Sequence, residues 1–408
     1  MEAIVEFPQI VERGCGLDVH KQTIVASIKG QGIEEETRTF GTFTEDIDTL
    51  LQWLQSHGIT HVAMESTGIY WRPVFNIIEE YFRVILVNAR HIKYVPGHKT
   101  DKKDSAWIAK LLLSGLLKGS FIPPQWQREL RELYRYKRKL ISQTVAEQNR
   151  MQKILEDANI KLSSVITDIG GVSGKLMINA IIEGESNAQV LASLAKGSLK
   201  KKKELLAQSL TGRITAHHRF MLKTIRKSLE NIESLIAEVD QEIENYLKEF
   251  SREVELLKTI PGVGQQTAAG ILAEVGADMH PFPNQHHLAS WAGICPGNNE
   301  SAGKKKSERT THGNKILKTV LTEAAWAASH TKETYLKRKY NSLAARRGKK
   351  RALIAIGHKI LIAAYFILKN KEIYKEPDDL SLEIKRKQAQ VKRHIQRLHE
   401  LGVELRIN

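Results

Sequence analysis

Two textures divide this chain, and the division restricts its architecture more than any single motif does. Up to about residue 117 short apolar runs alternate with amphipathic ones, whereas from residue 127 strand-like runs give way to long helical patterns. Residues 23–28, 61–65 and 83–87 have the composition of strands, the last of the buried, parallel type. Residues 37–43 read as a hairpin partner for the first strands. Residues 44–58 read as a capped amphipathic helix, with Leu50, Leu51 and Leu54 on its apolar side and Gly58 as its stop. A second helix is expected over 72–81, and a third, from about 102 to 117, closes the unit. This alternation predicts an α/β domain.

Beyond residue 127 the clearest signal is Ile225, Leu229, Ile232, Ile236, Val239, Ile243, Tyr246 and Phe250, whose spacing alternates four and three residues: a heptad seam. Residues 127–162 are equally long and charged, with less regular apolar positions. An antiparallel helical hairpin is expected, closing inside one chain or between two. The run Lys200 to Lys203 between them reads as a solvated basic loop, with phosphate binding as the alternative. From about residue 260, Gly- and Pro-marked turns are followed by helices, then by a basic tail helix over about 380–401. The expected organisation is an α/β catalytic domain over 1–122, a helical coiled-coil region over 123–258, a mainly α-helical C-terminal domain over 259–376 and the tail over 377–408. That division agrees with the two or three units a chain of 408 residues suggests.

Charge narrows the partner. The formal net charge is +16, from 62 Lys+Arg against 46 Asp+Glu, which favours a polyanion over an acidic small molecule. An anionic membrane surface fits the same charge, but the best apolar stretch, residues 361–368, falls short of the roughly 18 residues a span needs. The first 13 residues mix Glu2, Glu6 and Glu12 with apolar residues and lack the organisation of a signal peptide. A soluble, cytoplasmic protein is expected, without a membrane partner. Cys15 and Cys295 are far apart and suggest neither a disulfide framework nor a zinc site.

Four acids stand where an α/β nuclease core would use them: Asp18 at the first strand, Glu65 at the end of a later one, and Asp101 with Asp104 at a helix start. Residues three apart share a helix face, so Asp101 and Asp104 can point at one centre. Carboxylate oxygens suit Mg²⁺ or Mn²⁺, which can activate an attacking oxygen and stabilise a leaving one. Helix capping is the bland alternative for either helical acid.

In the C-terminal half, Ile260-Pro261-Gly262-Val263-Gly264 before a helix resembles a helix-hairpin-helix element, where Gly262 and Gly264 would let the backbone approach a phosphate. A tight turn without a ligand is the alternative. Further on, Ser301 lies in a Gly- and Asn-rich segment beside Lys304, Lys305, Lys306 and Arg309, with His312-Gly313-Asn314 and Lys315 following. This is a polar, basic loop suited to meeting a phosphodiester, or a nonspecific phosphate-binding patch. His217-His218 and His286-His287 lack further metal-type partners nearby and read as structural or surface residues.

The segments Gly16-Leu17-Asp18-Val19-His20-Lys21, Met64-Glu65-Ser66-Thr67-Gly68-Ile69-Tyr70-Trp71 and Lys99-Thr100-Asp101-Lys102-Lys103-Asp104-Ser105-Ala106 resemble the three acidic blocks of the IS110-type insertion-sequence transposases. These are DEDD enzymes with a RuvC-like, RNase H-like domain, described as bridge-RNA-guided recombinases. The resemblance implies that Asp18, Glu65, Asp101 and Asp104 are the metal-binding tetrad. The order Gly, Pro, Ser-Gly, basic stretch, Gly-Asn and a helix ending at Ala324-Ala325 is similar to the same family's transposase domain. It implies that Ser301 is the nucleophile of a covalent phosphoserine link, in a composite centre with the metal site between subunits. Two departures stand out: Glu300 where the family usually has Gln, and Gly303 one position late, which leaves Ser307 as an alternative. Donor and target DNA, a noncoding bridge RNA and a homo-oligomer, dimeric or tetrameric in the synaptic complex, are the implied partners. Action at the nucleoid is implied with them.

Three readings follow. One is an RNA-guided, serine-dependent transposase that excises and inserts its own element. Another is a RuvC-like nuclease that acts on branched DNA by water attack without a covalent intermediate. The last is a catalytically silent nucleic-acid-binding protein whose acids are caps and salt-bridge partners.

Overall fold

The computed structural model describes residues 10–65, 68–88, 104–117, 119–296 and 310–377, the backbone of 299–301 and 304–307, and positions 388, 391, 394–397 and 400. The chain forms two compact units, Met1–Pro123 and Pro124–Asn408. An α/β unit with a five-stranded sheet comes first, and a mostly helical one follows.

In the first unit β1 (Arg13–Val19) pairs antiparallel with β2 (Ile24–Gly30) and parallel with β4 (His61–Glu65). β3 (Glu36–Phe40) adds to β2, and β5 (Arg83–Val87) adds parallel to β4, giving the order β3-β2-β1-β4-β5. Because side chains alternate along a strand, β1 splits cleanly. Cys15, Leu17 and Val19 enter an apolar core with Ile24, Ala26 and Ile28 of β2, Leu50 and Leu54 of α1 (Thr44–Ser56), and Val74 and Ile78 of α2 (Trp71–Ile78). Gly14, Gly16 and Asp18 face the other way, toward α3 (Asp104–Leu113), whose Ile108, Leu111 and Leu112 pack with Ala63 and Val87. Strands 61–65 and 83–87 have their expected bounds.

The second unit opens with α4 (Gln125–Asp157), which runs antiparallel to α8 (Ala216–Leu247). Trp126 stacks on Phe250 at 4.2 Å, the Tyr246 hydroxyl donates to Glu129 at 2.9 Å, and at the far end His218 meets Asp157 at 2.9 Å. The hairpin therefore closes within one chain. Ile225, Ile232 and Ile243 of the heptad seam are buried, while the seam's last member, Phe250, lies past the helix in a short 3-10 turn. His218 also pairs with Thr215 in a capping box, a structural role.

Between the paired helices the chain builds a small helical cluster from α5 (Val172–Ile182), α6 (Ala188–Ser193) and α7 (Lys203–Ser209). Met177, Ile181, Leu191 and Leu206 close its core, and Lys200 to Lys203 sit exposed on it. The remainder packs α9 (Ser251–Lys258), α10 (Gln265–Val275), α11 (Gln285–Trp291), α12 (Lys315–His330), α13 (Tyr335–Arg347) and α14 (Lys349–Asn370). α14 is long and apolar enough to cross a membrane by length and composition, but its buried face packs against α9, α11, α12 and α13. A β-hairpin, β6 (Asn299–Ser301) with β7 (Lys304–Ser307), interrupts the helices. The tail expected over 380–401 falls mostly outside the described residues, and its described positions are helical.

Candidate active site

The carboxylate site begins with a glycine. At Gly16 a side chain would meet the Ser105 carbonyl oxygen at 2.1 Å and the Ala109 nitrogen at 2.5 Å, so α3 lies backbone-to-backbone on β1. The Ser105 hydroxyl locks this contact by a 2.7 Å hydrogen bond to Ser27 of β2, which in turn meets Thr37 of β3 at 2.7 Å. Two residues along β1 from Gly16, Asp18 emerges on the same face as α3. The parallel register that sets Leu17 opposite Met64 puts Asp18 level with Glu65 on the neighbouring strand. Asp104 starts α3 on that face.

Electrostatics ties the three acids together. Burial raises the Asp18 pKa above the ordinary aspartate range, and the negative charges of Asp104 and Glu65 push it further. His20, whose Nε2 lies 3.1 Å from the Asp18 carboxylate, works in the opposite direction. Asp101 lies outside the described residues. Among the described residues no three His, Cys, Asp or Glu side chains form a ready-made metal cage. The donor chemistry nevertheless fits a hard divalent cation: carboxylate oxygens close enough to repel one another are what such an ion neutralises.

The serine segment is built on a neck. Its two strands of chain cross at Gly293 and Gly313, where a side chain on Gly313 would come within 2.3 Å of the Gly293 nitrogen. Gly293 has φ +68°, which only glycine adopts without strain. Above the crossing the Thr311 amide donates to the Cys295 carbonyl at 3.2 Å and Pro296 bridges Thr310. The hairpin then pairs Ser301 with Lys304 and Glu300 with Lys305, with a register shift at Asn299. Arg309 lies outside the described residues, as do Ala302 and Gly303 between the strands. Lys315 opens α12 and is exposed.

Below the neck Asn314 caps α12 by accepting from the Leu317 amide at 3.0 Å, while its amide nitrogen donates to Glu274 at 2.5 Å. Glu274 is fully buried on α10 and accepts two 2.8 Å hydrogen bonds from Arg135 of α4. Those bonds hold the Arg135 pKa above its ordinary value. The helix-hairpin-helix candidate divides in two. Gly262, with φ +87°, faces inward, where a side chain would meet the Ala324 carbonyl and Ala328 nitrogen of α12 at 2.5 Å each. Gly264 is exposed at the start of α10, with nothing near the place a side chain would take.

A transposase family model of the DEDD IS110 type matches residues 15–160, and the model of the IS116/IS110/IS902 transposase family matches residues 254–341. The chain belongs to the IS110-type transposases. It is accordingly a DNA-recombining enzyme. Pilin gene-inverting proteins of Moraxella bovis and Moraxella lacunata are each 24% identical over 370 residues, spanning 87% of this chain and 95% of theirs. A 43.6 kDa protein of insertion element IS110 from Streptomyces coelicolor is 26% identical over 253 residues, 57% of this chain and 61% of its own.

In this transposase the two matched regions contain the acids and the serine segment, respectively. Sequence reasoning missed Ser27, Ser105, Arg135, Glu274 and the double use of Asn314. One signal was there for Glu274: it is the sole charge in a helix, residues 265–275, that is otherwise apolar beyond its first turn.

Proposed function

We propose that the transposase excises and inserts its own element through a covalent protein–DNA intermediate, with Ser301 as the nucleophile and Asp18, Glu65, Asp101 and Asp104 as the metal-binding acids. The placing of Asp18, Glu65 and Asp104 on one face of the sheet, where the charges of Asp104 and Glu65 help to raise the Asp18 pKa, supports the reading, since a cation site requires such negative charge. When bound, Mg²⁺ or Mn²⁺ supplies charge neutralisation at the phosphate and activation of the attacking oxygen. Lys304, Lys305, Lys306, Arg309 and Lys315 hold the phosphate backbone, and the exposed amides at Gly264 offer a further phosphate contact. The Ser301 oxygen bonds to phosphorus while the bond from phosphorus to one deoxyribose oxygen breaks; that oxygen leaves with the proton the serine gives up. Attack by the hydroxyl of the partner strand reverses the sequence and rejoins DNA without net hydrolysis. Excision, insertion and inversion are then different outcomes of one strand exchange, in keeping with the gene-inverting relatives.

Site choice by a noncoding bridge RNA is part of the proposal. The family resemblance and the net charge of +16 support it. So is assembly into dimers or tetramers on nucleic acid, which a strictly monomeric complex in light scattering that still recombined would rule out.

The test of the nucleophile is Ser301→Ala. It removes one hydroxyl and leaves the Lys and Arg contacts, so nucleic-acid binding is retained while strand exchange and the denaturation-resistant protein–DNA link vanish. Ser307→Ala keeps the link. A Ser301→Ala protein that still joined donor to target would return the serine to a structural role and leave the acidic tetrad as the only catalytic centre.

A further inference from the structure

We propose that Glu274 is a positioning residue for the serine hairpin, acting through the Asn314 amide. The inference rests on the reading of Ser301 as nucleophile. The serine segment joins the helical body at the Gly293–Gly313 crossing, where Ile294 is buried beside Gly357 and Lys318 of α12 donates to the Thr310 hydroxyl, and Asn314 is the first residue after the crossing with a side chain held on both ends. Its Oδ1 caps α12 and its Nδ2 donates to Glu274, so only one orientation of the amide satisfies both neighbours.

Glu274 is itself fixed from the other side. Arg135 grips its carboxylate through Nε and Nη2, and Arg131 donates to the Glu274 carbonyl at 2.7 Å and the Ala273 carbonyl at 3.1 Å. A buried ion pair is a poor way to gain stability, because apolar residues of equal volume do as well or better. What an apolar residue could not do is accept from Asn314 and so set the angle at which the hairpin leaves α12. The chain Arg135–Glu274–Asn314 thus fixes the base of the segment that carries Ser301 to a rigid helix.

Donor and acceptor arithmetic gives the test. Glu274→Gln puts an amide NH₂ among donors: it faces Arg135 in either orientation, and faces Asn314 as well when it takes the place of Oε2. Asn314→Asp sets two carboxylates against each other but keeps a residue that caps a helix as well as Asn does, so this variant stays folded. The double variant, Glu274→Gln with Asn314→Asp, restores a donor–acceptor pair across α10 and α12 in reverse: the new amide donates to the new carboxylate at the α12 cap and its oxygen still accepts from Arg135 Nε, while the Arg135 Nη2 bond to Oε2 is given up. The assay uses full-length protein with a supercoiled plasmid carrying the element's two ends and RNA transcribed from its flanks. It reads joined product and covalent adduct, alongside binding of a labelled element-end duplex and circular dichroism.

Asn314→Asp should slow adduct and product formation by about 100-fold with duplex binding retained, the size of loss that a displacement near 1 Å at a reacting atom produces, and Glu274→Gln, whose oxygen can still turn to Asn314, should slow them less. The double variant should recover to within about tenfold of wild type. Single variants at the wild-type rate, or a double variant no faster than the slower single, overturn the positioning role while leaving Ser301 as the nucleophile. A Ser301→Ala protein that recombines in the same assay overturns both.

Discussion

Gly16→Ala is the smallest change that tests whether the contact between β1 and α3 sets the carboxylate geometry. The added methyl would stand 2.1 Å from the Ser105 carbonyl oxygen and 2.5 Å from the Ala109 nitrogen, and 3.0 Å from the Ile108 Cβ. Two of these neighbours are backbone, so no rotamer change relieves them, and α3 must retreat by roughly 1 Å or more at a cost of about 1–3 kcal/mol. The helix retreats at its N-terminal end, because Ser105 is its second residue, and that end carries Asp104. Asp18, two residues along the strand, stays with the sheet. The two carboxylates therefore separate, and a shift near 1 Å lowers strand exchange by about 100-fold. The assay pairs plasmid recombination with thermal unfolding followed by circular dichroism. The expected result is a folded protein melting a few degrees lower, with weakened dependence on divalent metal and much reduced product. A Gly16→Ala protein with wild-type melting and wild-type recombination would refute the close approach and, with it, the placing of Asp104 by that contact.

Alanine at Asp18, Glu65, Asp101 or Asp104 should abolish recombination with the fold retained; full activity from the Asp101→Ala and Asp104→Ala proteins would sink the metal assignment. Asp18→Asn in particular relieves a half-buried like-charge cluster, so in chelator it should melt slightly above wild type and gain less from added Mg²⁺. A wild-type response of its melting temperature to Mg²⁺ would count against the ion binding there. Arg135→Met leaves the carboxylate of fully buried Glu274 with Arg131 and Asn314 alone. It should cost about 2–3 kcal/mol in urea unfolding, below a fully buried pair because the Arg135 side chain is partly solvated; no loss would mean that the pair contributes nothing to the folded state.

The α/β unit was legible because its signals are local. Short continuous apolar runs gave β4 and β5 their bounds, and the acids at strand and helix ends marked the candidate site. What joins those acids was not legible, since Gly16 against Ser105 and Ser27 against Ser105 are contacts between residues 78 or more positions apart. The β6–β7 hairpin escaped for a different reason. Asn299 to Ser301 and Lys304 to Ser307 carry no apolar alternation, so the period-two pattern that marks a strand is absent there. The small helices of residues 172–209 were missed because their apolar residues serve a separate core, which interrupts the periodicity of the long helices on either side.

The irregular apolar pattern of residues 127–162 has a physical cause that bears on function. On α4, Gln127, Arg131, Arg135 and Arg138 recur at helical spacing and dock through polar contacts. Gln127 and Arg131 cap the Ala273 carbonyl at the end of α10, Arg135 holds Glu274, and Arg138 forms a two-pronged pair with Glu323 of α12. Lys137, buried nearby, bonds Asp240 of α8 and Gln266 at the start of α10, the latter at 2.6 Å. Apolar packing tolerates sliding, whereas hydrogen bonds of this kind fix rotation and register. α4 therefore holds both ends of α10, together with α12, in one arrangement. It is also the helix on which the first family match continues, to residue 160, past the boundary of the α/β unit at Pro123. The sequence region matched along with the acids thus includes the helix that supports the base of the serine segment, and a substitution at Arg131, Arg135 or Arg138 should affect the hairpin without touching Asp18, Glu65, Asp101 or Asp104.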